Sequence, residues 1–160
     1  MGRTKAQRDT RRSTQAARRS DRALVLVDLE NVVGDPWATG PEVVEAYESV
    51  LVAAGHRGGD LVVVAANRWM LAELGTRAHT SAQLLVGHGP DGADLALLDW
   101  VASWPAVFER CGRVVVASGD GIFATVAAEA NLSGVAVSVV SRPASLSRRL
   151  RDLPVDLVGI

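Results

Sequence analysis

The sequence is poor in cysteine, in aromatic residues and in long apolar runs. Cys111 is the only cysteine, so an internal disulfide is excluded, which fits a reducing cytoplasm. Aromatic residues make up 4% of the 160 residues, against 48% hydrophobic residues, which predicts an aliphatic core. No apolar run approaches membrane-spanning length, and the basic N-terminus lacks the apolar stretch of a secretory signal. We therefore expect a cytoplasmic protein without membrane contact.

Charge is distributed unevenly along the chain. Residues 1–22 contain eight Lys/Arg and two Asp, a balance of +6, whereas the remainder has nine basic and 16 acidic residues, a balance of −7. A basic arm on an acidic body suits contact with nucleic acid, and a solubilising disordered tail is the equally weighted alternative. We divide the chain into a basic, disordered arm over residues 1–22 and one domain over residues 23–160.

From Ala23 onward, strand-like apolar runs alternate with helix-like segments. Predicted strands cover residues 23–27, 61–66, 83–86, 113–117, 135–140 and, as a short last strand, 155–158. Predicted helices cover residues 41–54, 68–77, 91–104, 121–130 and 146–150, and residues 31–40 are predicted as a loop. The alternation predicts an α/β fold: one Rossmann-like three-layer domain with a central, mainly parallel sheet of about five strands.

Three acidic residues hold related positions in this pattern. Asp28 and Asp120 each follow an apolar strand-like run, and Asp94 lies in the first turn of a predicted helix. Ligands of open parallel sheets bind beyond the carboxyl ends of the strands, so these carboxylates can converge although they are far apart in sequence. Clustered carboxylates suit a hard cation, Mg²⁺ or Mn²⁺, and indicate metal-dependent chemistry on phosphates.

Four further residues are candidates for supporting this site: Asn31, Ser118, Glu30 and Asp91. Asn31 could orient Asp28, and Ser118 could hydrogen-bond a carboxylate or a phosphate. Glu30 is a weaker ligand candidate, and Asp91 suits a helix N-cap better than a ligand. Every acid of the set also has a structural interpretation, because turns and helix N-termini stabilise aspartate without any metal.

A second group of basic residues follows the last long strand and contains Arg142, Arg148 and Arg149. These side chains could bind a nucleic-acid phosphate backbone, and a solvated helix face is the alternative. Trp37 could stack on a base near the same edge, although tryptophan more often serves partly buried packing.

The segments around the three acids resemble the NYN domain, a branch of the PIN-like ribonuclease superfamily. The matching segments are residues 27–31, 92–97 and 118–123, in the family's order, and the resemblance covers about residues 23–142. It implies a Rossmann-like sheet and an endoribonuclease centre that uses Mg²⁺ or Mn²⁺. Asp28, Asp94 and Asp120 would be its metal-binding catalytic carboxylates, with Asn31 in support. RNA is the implied partner, and a homodimer or a protein partner stays open.

If the site is active, water activated by the metal would attack the phosphate in line and displace the 3′ oxygen. No separate general base is needed in such a reaction. This fits the histidines of the chain, because His56, His79 and His88 show no functional spacing.

One position departs from the family pattern. Many members have a second aspartate two residues after the one matched by Asp120, where this chain has Ile122, which cannot bind a metal. The main alternative is therefore a degenerate module that binds RNA or protein through the same crevice. A phosphohydrolase of the haloacid dehalogenase type is less favoured, because Glu30 stands where that chemistry needs aspartate. A toxin of a toxin–antitoxin pair is a further alternative.

Overall fold

The structure, a computed structural model, describes residues 20–78 and 81–160, without the side chains of Ser20 and Thr76. Residues 1–19 of the predicted arm lie outside the described residues, and so does His79. Within the described ranges, no helix has the length and apolar character needed to cross a membrane.

Strands and helices alternate along the described chain. The strands are β1 (Ser20–Asp28), β2 (Leu61–Ala66), β3 (Gln83–Val86), β4 (Cys111–Ala117), β5 (Ala136–Ser141) and β6 (Asp156–Gly159). The α-helices are α1 (Leu29–Val33), α2 (Gly40–Ala53), α3 (Arg68–Leu74), α4 (Gly92–Ala102), α5 (Val107–Arg110), α6 (Ala124–Leu132) and α7 (Arg148–Arg151). Short 3-10 turns cover Gly75–Arg77, Gly121–Phe123 and Pro143–Ser145.

The strands form one sheet in the order β3-β2-β1-β4-β5-β6, and each neighbouring pair is parallel. On one side of the β1–β4 pair the chain continues to β2 and β3, and on the other side it continues to β5 and β6. At such a reversal the flanking connections separate onto opposite faces of the sheet and leave a crevice beyond the strand ends. The predicted α/β fold is confirmed, with six parallel strands rather than about five.

Helices cover both faces of this sheet. Helices α2 and α3 pack on one face, against alternate β1 residues that include Val25 and Val27. Helices α4 and α6 pack on the other face, against Leu24 and Leu26. Because both faces are covered, β1 reads as a continuous apolar run in the sequence rather than as an alternating one.

Three boundary predictions need correction. Strand β1 begins at Ser20, which pairs with Cys111, so the domain begins before the predicted residue 23. The predicted loop over 31–40 is wrong at its start, because α1 extends to Val33 and is ended by Gly34. Helix α5 was not predicted, since four residues are too few to show a helical period.

The inner face of α4 does not include every apolar residue of the helix. Leu95 and Ala102 are both exposed, Leu95 by 51% of its surface. The buried face is instead formed by Ala93, Leu97 and Trp100, which recur at the helical spacing of three to four residues. Asp94 is buried beside them, so the Asp94 carboxyl group lies on the inner face of the helix and Leu95 does not.

Candidate functional site

The three predicted acids lie at the carboxyl edge of the sheet, around the β1–β4 pair. Asp28 is the last residue of β1, Asp120 follows the end of β4, and Asp94 lies in the first turn of α4. Val27 and Ala117 are paired in the sheet, so the residues that follow them, Asp28 and Ser118, come side by side. The site therefore occupies the crevice where strand order reverses.

Asp28 is the centre of the site. It is 3% exposed, and it accepts hydrogen bonds from the Ser118 hydroxyl at 2.9 Å and from the Asn31 N–H at 3.2 Å. Its side chain also hydrogen-bonds that of Asp94. Burial first, and then the neighbouring Asp94, raise the pKa of Asp28 to about 8, and this outweighs the two stabilising donors.

Asp94 is the second buried carboxyl group, with 7% of its surface exposed. Burial raises its pKa, the hydrogen bond with Asp28 opposes this, and the negative charges of Asp120, Asp91 and Glu30 raise it further. Among the described residues, no ion pair involves Asp28 or Asp94, whereas Arg113 and Asp60 form one at the other end of the strands. Two buried carboxyl groups in contact favour the protonated form of one of them unless a cation compensates their charge.

Asp120 lies at the candidate site and also caps the 3-10 turn that follows it. Its Oδ1 accepts the N–H of Ile122 at 2.9 Å, which caps the 3-10 turn, and its own N–H donates to the Ser118 hydroxyl at 3.1 Å. The Ser118 hydroxyl thus contacts both Asp28 and the Asp120 backbone. The predicted support from Ser118 is present, and it acts on a carboxylate.

Asn31 connects the ends of three strands. Its N–H donates to Asp28, its side-chain oxygen accepts the Gly119 N–H at 2.8 Å, and its carbonyl accepts from Arg142 Nη2 at 3.1 Å. Asn31 therefore contacts Asp28 through its backbone N–H and not through its side chain. The amide side chain holds the loop after β4 instead.

Glu30 and Asp91 differ in how they relate to the acids. Glu30 Oε1 accepts the N–H of Asn67 at 2.6 Å, which connects α1 to the end of β2. Asp91 stands at the N-cap position of α4, as predicted, in a left-handed conformation with φ of 56°, and its side chain makes no capping hydrogen bond. Both act on Asp94 through their charge.

The predicted basic residues are divided between two places. Arg142 follows β5 and contacts α1. Arg149 is exposed on α7 and passes close to Gly121, next to Asp120, whereas Arg148 is exposed on the same short helix. Ile122 lines an apolar groove with Leu98 of α4 and Val126 of α6.

Asp28 and Asp94 are the residues of the crevice that would hold a small hard cation. Within the described ranges, no group of three or more His, Cys, Asp or Glu side chains is arranged to hold a metal ion. Mg²⁺ is commonly held by only one or two carboxylates, with waters and substrate phosphates completing its shell. The buried pair Asp28–Asp94 supplies two such carboxylates, and a cation would compensate the negative charge that burial disfavours there.

Sequence reasoning missed a cavity beside these acids. It measures about 380 Å³, and Gly34 and Asn67 contribute to its lining together with Glu30, Asn31 and Arg142. Asn67 carried a usable signal, because it directly follows a strand, as Ser118 does. The contact between Gly34 and Arg142 joins distant parts of the chain and has no local signal.

No family model and no curated protein matches the chain. A crystal structure of a protein of unknown function from Vibrio parahaemolyticus is similar to it, with 19% sequence identity and a TM-score of 0.57. The similarity covers 88% of this chain and 93% of that chain. At this identity the similarity shows a shared fold, and it says nothing about chemistry.

Proposed function

We propose that this protein is a ribonuclease that hydrolyses RNA phosphodiester bonds at Asp28, Asp94 and Asp120, with Mg²⁺ or Mn²⁺ as cofactor. The observation that carries the proposal is the buried contact between Asp28 and Asp94, which no cationic side chain of the described residues neutralises. Such a contact is costly unless a proton or a metal ion compensates it. The resemblance of the surrounding segments to the NYN domain supports the choice of RNA as substrate.

The residues around Asp28 prepare it to hold a cation. The Ser118 hydroxyl and the Asn31 N–H fix one carboxylate oxygen each, so Asp28 stays oriented when it is ionised. The bound ion would neutralise charge on the phosphate and lower the pKa of the attacking water. In the hydrolysis, a water oxygen bonds to phosphorus, the bond between phosphorus and the 3′ oxygen breaks, and that oxygen takes up a proton.

The surroundings of the cluster suit a polyanionic substrate. Arg142 and Arg149 lie on separate elements near the acids, and Arg148 is exposed beside Arg149. Arginine binds phosphates through two parallel donors, and such contacts position a nucleic acid without reading its sequence. We assign RNA binding to these residues and a cytoplasmic location to the protein, and a homodimer or protein partner stays open.

Two observations favour a second candidate, a module that binds RNA or protein without cleavage. Ile122 lines the apolar groove and offers no ligand, and Asp120 Oδ1 is engaged by the Ile122 N–H. A phosphohydrolase of the haloacid dehalogenase type is less favoured, because Glu30 is engaged by the Asn67 N–H. The toxin alternative would be indicated by growth arrest on expression.

The test is cleavage of a labelled single-stranded RNA pool by purified protein with Mn²⁺, with Mg²⁺ and with chelator. The double variant Asp28→Asn/Asp120→Asn controls for contaminating nuclease. We expect metal-dependent cleavage by the wild type that is lost in the double variant. Bound but uncleaved RNA under every metal condition would refute the nuclease and favour the binding module.

A further inference from the structure

The apolar groove that contains Ile122 lies between α4, α6 and the segment that joins α4 to α5, and it measures about 690 Å³. One wall is formed by residues on a single face of α6 and of the 3-10 turn before it: Ile122, Thr125, Val126, Glu129, Leu132 and Ser133. Their spacing of three and four residues keeps them on that face. At 1.5 Å per residue this wall is about 16 Å long, which equals about three turns of a helix.

The facing wall is also apolar. It is formed by residues that recur at the same helical spacing along α4 and just beyond its end: Leu98, Val101, Ala102 and Pro105. A helix laid between the two walls would contact apolar side chains on both sides. This is the arrangement in which amphipathic helices are bound by hydrophobic grooves.

Trp104 is the exposed aromatic side chain of the groove. It is 48% exposed, and its ring stacks on that of Trp100, with the ring centroids 5.7 Å apart. Trp100 is buried, and its Nε1–H donates to Gln83 Oε1 at 2.9 Å. Trp104 is therefore held in place before a partner binds, which reduces the entropy cost of binding. Tryptophans in such positions often dominate the energy of protein interfaces.

Charge indicates the chemistry of the occupant. Of the described residues that line the groove, only Glu129 carries a charge, and its side chain is exposed. The charged residues of α4 and α6 are Asp94, Asp99 and Glu129, and neither helix contains a Lys or Arg. An occupant with basic residues beside its apolar face is therefore complementary. A second copy of this chain is disfavoured, because a two-fold contact would bring two acidic faces together.

The basic arm of the chain has the complementary charge but lacks the apolar side chains. The hydrophobic residues among residues 1–19 are Met1, Ala6, Ala16 and Ala17. Alanine buries little apolar surface, so this segment cannot fill a groove walled by leucine, isoleucine and tryptophan. The occupant that matches both the shape and the charge is therefore a segment of another protein.

We infer that the groove binds an amphipathic helix of a partner protein. This helix has bulky aliphatic side chains at a spacing of three and four residues, and Lys or Arg beside them. The inference does not rest on the proposed ribonuclease, because Asp28, Asp94 and Asp120 do not line the groove. It also gives Ile122 a role, since this apolar side chain belongs to the wall of the groove at the position where the NYN pattern has a carboxylate.

The test uses two fluorescent, stapled helical peptides with leucines at a spacing of three and four residues, one with lysines and one with glutamates at the remaining positions. Anisotropy measures the affinity of each peptide for the full chain. Trp104→Ala and Leu132→Ala truncate the two walls, and Val52→Ala is the control, since Val52 is 82% exposed on α2. Glu129→Gln is compared with Glu48→Gln, which neutralises an exposed acid of α2. Circular dichroism checks that each variant is folded, and Leu132, at 88% exposure, can be truncated without loss of core packing.

We expect the lysine peptide to bind more tightly than the glutamate peptide. Trp104→Ala should raise its Kd by about tenfold and Leu132→Ala by about threefold, with Val52→Ala unchanged. Glu129→Gln should raise Kd by about two- to fivefold, and Glu48→Gln should not. Equal affinities of the two peptides would overturn the basic partner. Lack of saturable binding at millimolar lysine peptide, or equal losses in the groove variants and Val52→Ala, would overturn the groove as a docking site.

Two further measurements distinguish the other occupants. A wild-type dimer in analytical ultracentrifugation that Leu132→Ala dissociates would assign the groove to a second copy of the chain. Tighter binding of the lysine peptide by Arg11→Gln/Arg12→Gln than by the wild type would assign it to the arm. A monomer with unchanged peptide affinity in the arm variant would support the partner helix.

Discussion

The Ser118 hydroxyl donates a 2.9 Å hydrogen bond to Asp28 Oδ2 and accepts the Asp120 N–H at 3.1 Å. Ser118 is fully buried, so water cannot replace either contact. A hydroxyl supplies one donor and two acceptor lone pairs, which is what a position between these two groups requires. The geometry of both acids therefore depends on this one side chain.

We expect Ser118→Ala to lower the free energy of unfolding by about 1–3 kcal/mol, because it leaves a buried carboxyl oxygen and a half-buried N–H without this partner. Urea denaturation measures this. Ser103→Ala is the control, since it removes an exposed hydroxyl that donates to the Trp100 carbonyl at 2.7 Å. That loss should stay within about 0.5 kcal/mol. Equal losses in the two variants would show that Ser118 is not needed to satisfy the site.

The raised pKa of Asp28 predicts that stability falls as pH increases. An aspartate of the unfolded chain ionises near its model value of 3.8, whereas burial and Asp94 keep Asp28 protonated in the folded protein up to about pH 8. Between these values the folded state binds more protons than the unfolded state, so the free energy of unfolding decreases with increasing pH. Asp28→Asn cannot ionise, and it should flatten this dependence.

Urea midpoints measured across this pH range, for the wild type and for Asp28→Asn, check the prediction. Asp99→Asn, on the exposed side of α4, is the matched control and should retain the wild-type slope. Saturating Mg²⁺ should reduce the wild-type slope, because a bound cation favours the ionised form of Asp28 in the folded state. Identical slopes in wild type and Asp28→Asn would contradict the raised pKa.

Gly34→Ala should affect both stability and RNA binding. A left-handed conformation is unfavourable for alanine by about 1 kcal/mol or more, and its Cβ would also displace the Arg142 guanidinium. Gly59→Ala is the control, because Gly59 also has positive φ, at 97°, but nothing lies within 4 Å of its Cβ position. Both variants should lose stability, and only Gly34→Ala should bind single-stranded RNA less tightly. Unchanged RNA affinity in Gly34→Ala would separate Arg142 from binding.

Asp60 stabilises the amino ends of the strands, at the other end of the sheet from the candidate site. It is 4% exposed and accepts hydrogen bonds from the N–H groups of Ala23 and Arg57, both at 2.8 Å, and from Arg113 at 3.1 Å. Burial favours a higher pKa for Asp60, but these three donors outweigh it and lower the pKa. Its contribution to stability is therefore present above the ordinary pKa of aspartate and is lost as the pH falls below it.

We expect Asp60→Ala to reduce the free energy of unfolding by about 2–4 kcal/mol, because it leaves buried donors unpaired. The kcat/KM for RNA cleavage should stay unchanged at temperatures where the variant is folded, since Asp60 lies far along the strands from Asp28. Asp156→Ala, which removes an exposed carboxylate, is the control for stability. A change in kcat/KM without unfolding would show that the amino ends of the strands are coupled to the site at their carboxyl ends.

The core of the sheet could be predicted from the sequence because its strands are covered on both faces. The bounds of β2 and β3 agree with the predicted runs. Strand β2 is followed by Asn67, whose side chain accepts the N–H of Met70 and so caps the start of α3. Helices α1 and α5 were missed, because fewer than two turns show no helical period, whereas the equally short α7 lies largely within the predicted helix over 146–150.

The residues of the candidate site could be proposed from the sequence, but the contacts between them could not. The position of an acid after an apolar run identified Asp28 and Asp120, because strand ends at the carboxyl edge share one crevice. No local pattern states that β1 and β4 are neighbours, so the contact between Ser118 and Asp28 could not be derived. The same is true of Gly34 and Arg142, whose contact depends on where β5 lies in the sheet.

The adjacency of β1 and β4 also constrains the order of events when the chain folds. Strand β1 can pair with β2 early, but its other edge has no partner until Ala117 and the residues before it are available. Closing so long a loop is slow relative to forming local contacts. During synthesis on the ribosome, Asp28 therefore stays without the Ser118 hydroxyl until most of the chain has emerged. An incomplete chain would lack the assembled acid cluster, so under the proposed function a prematurely released fragment is not expected to cleave RNA.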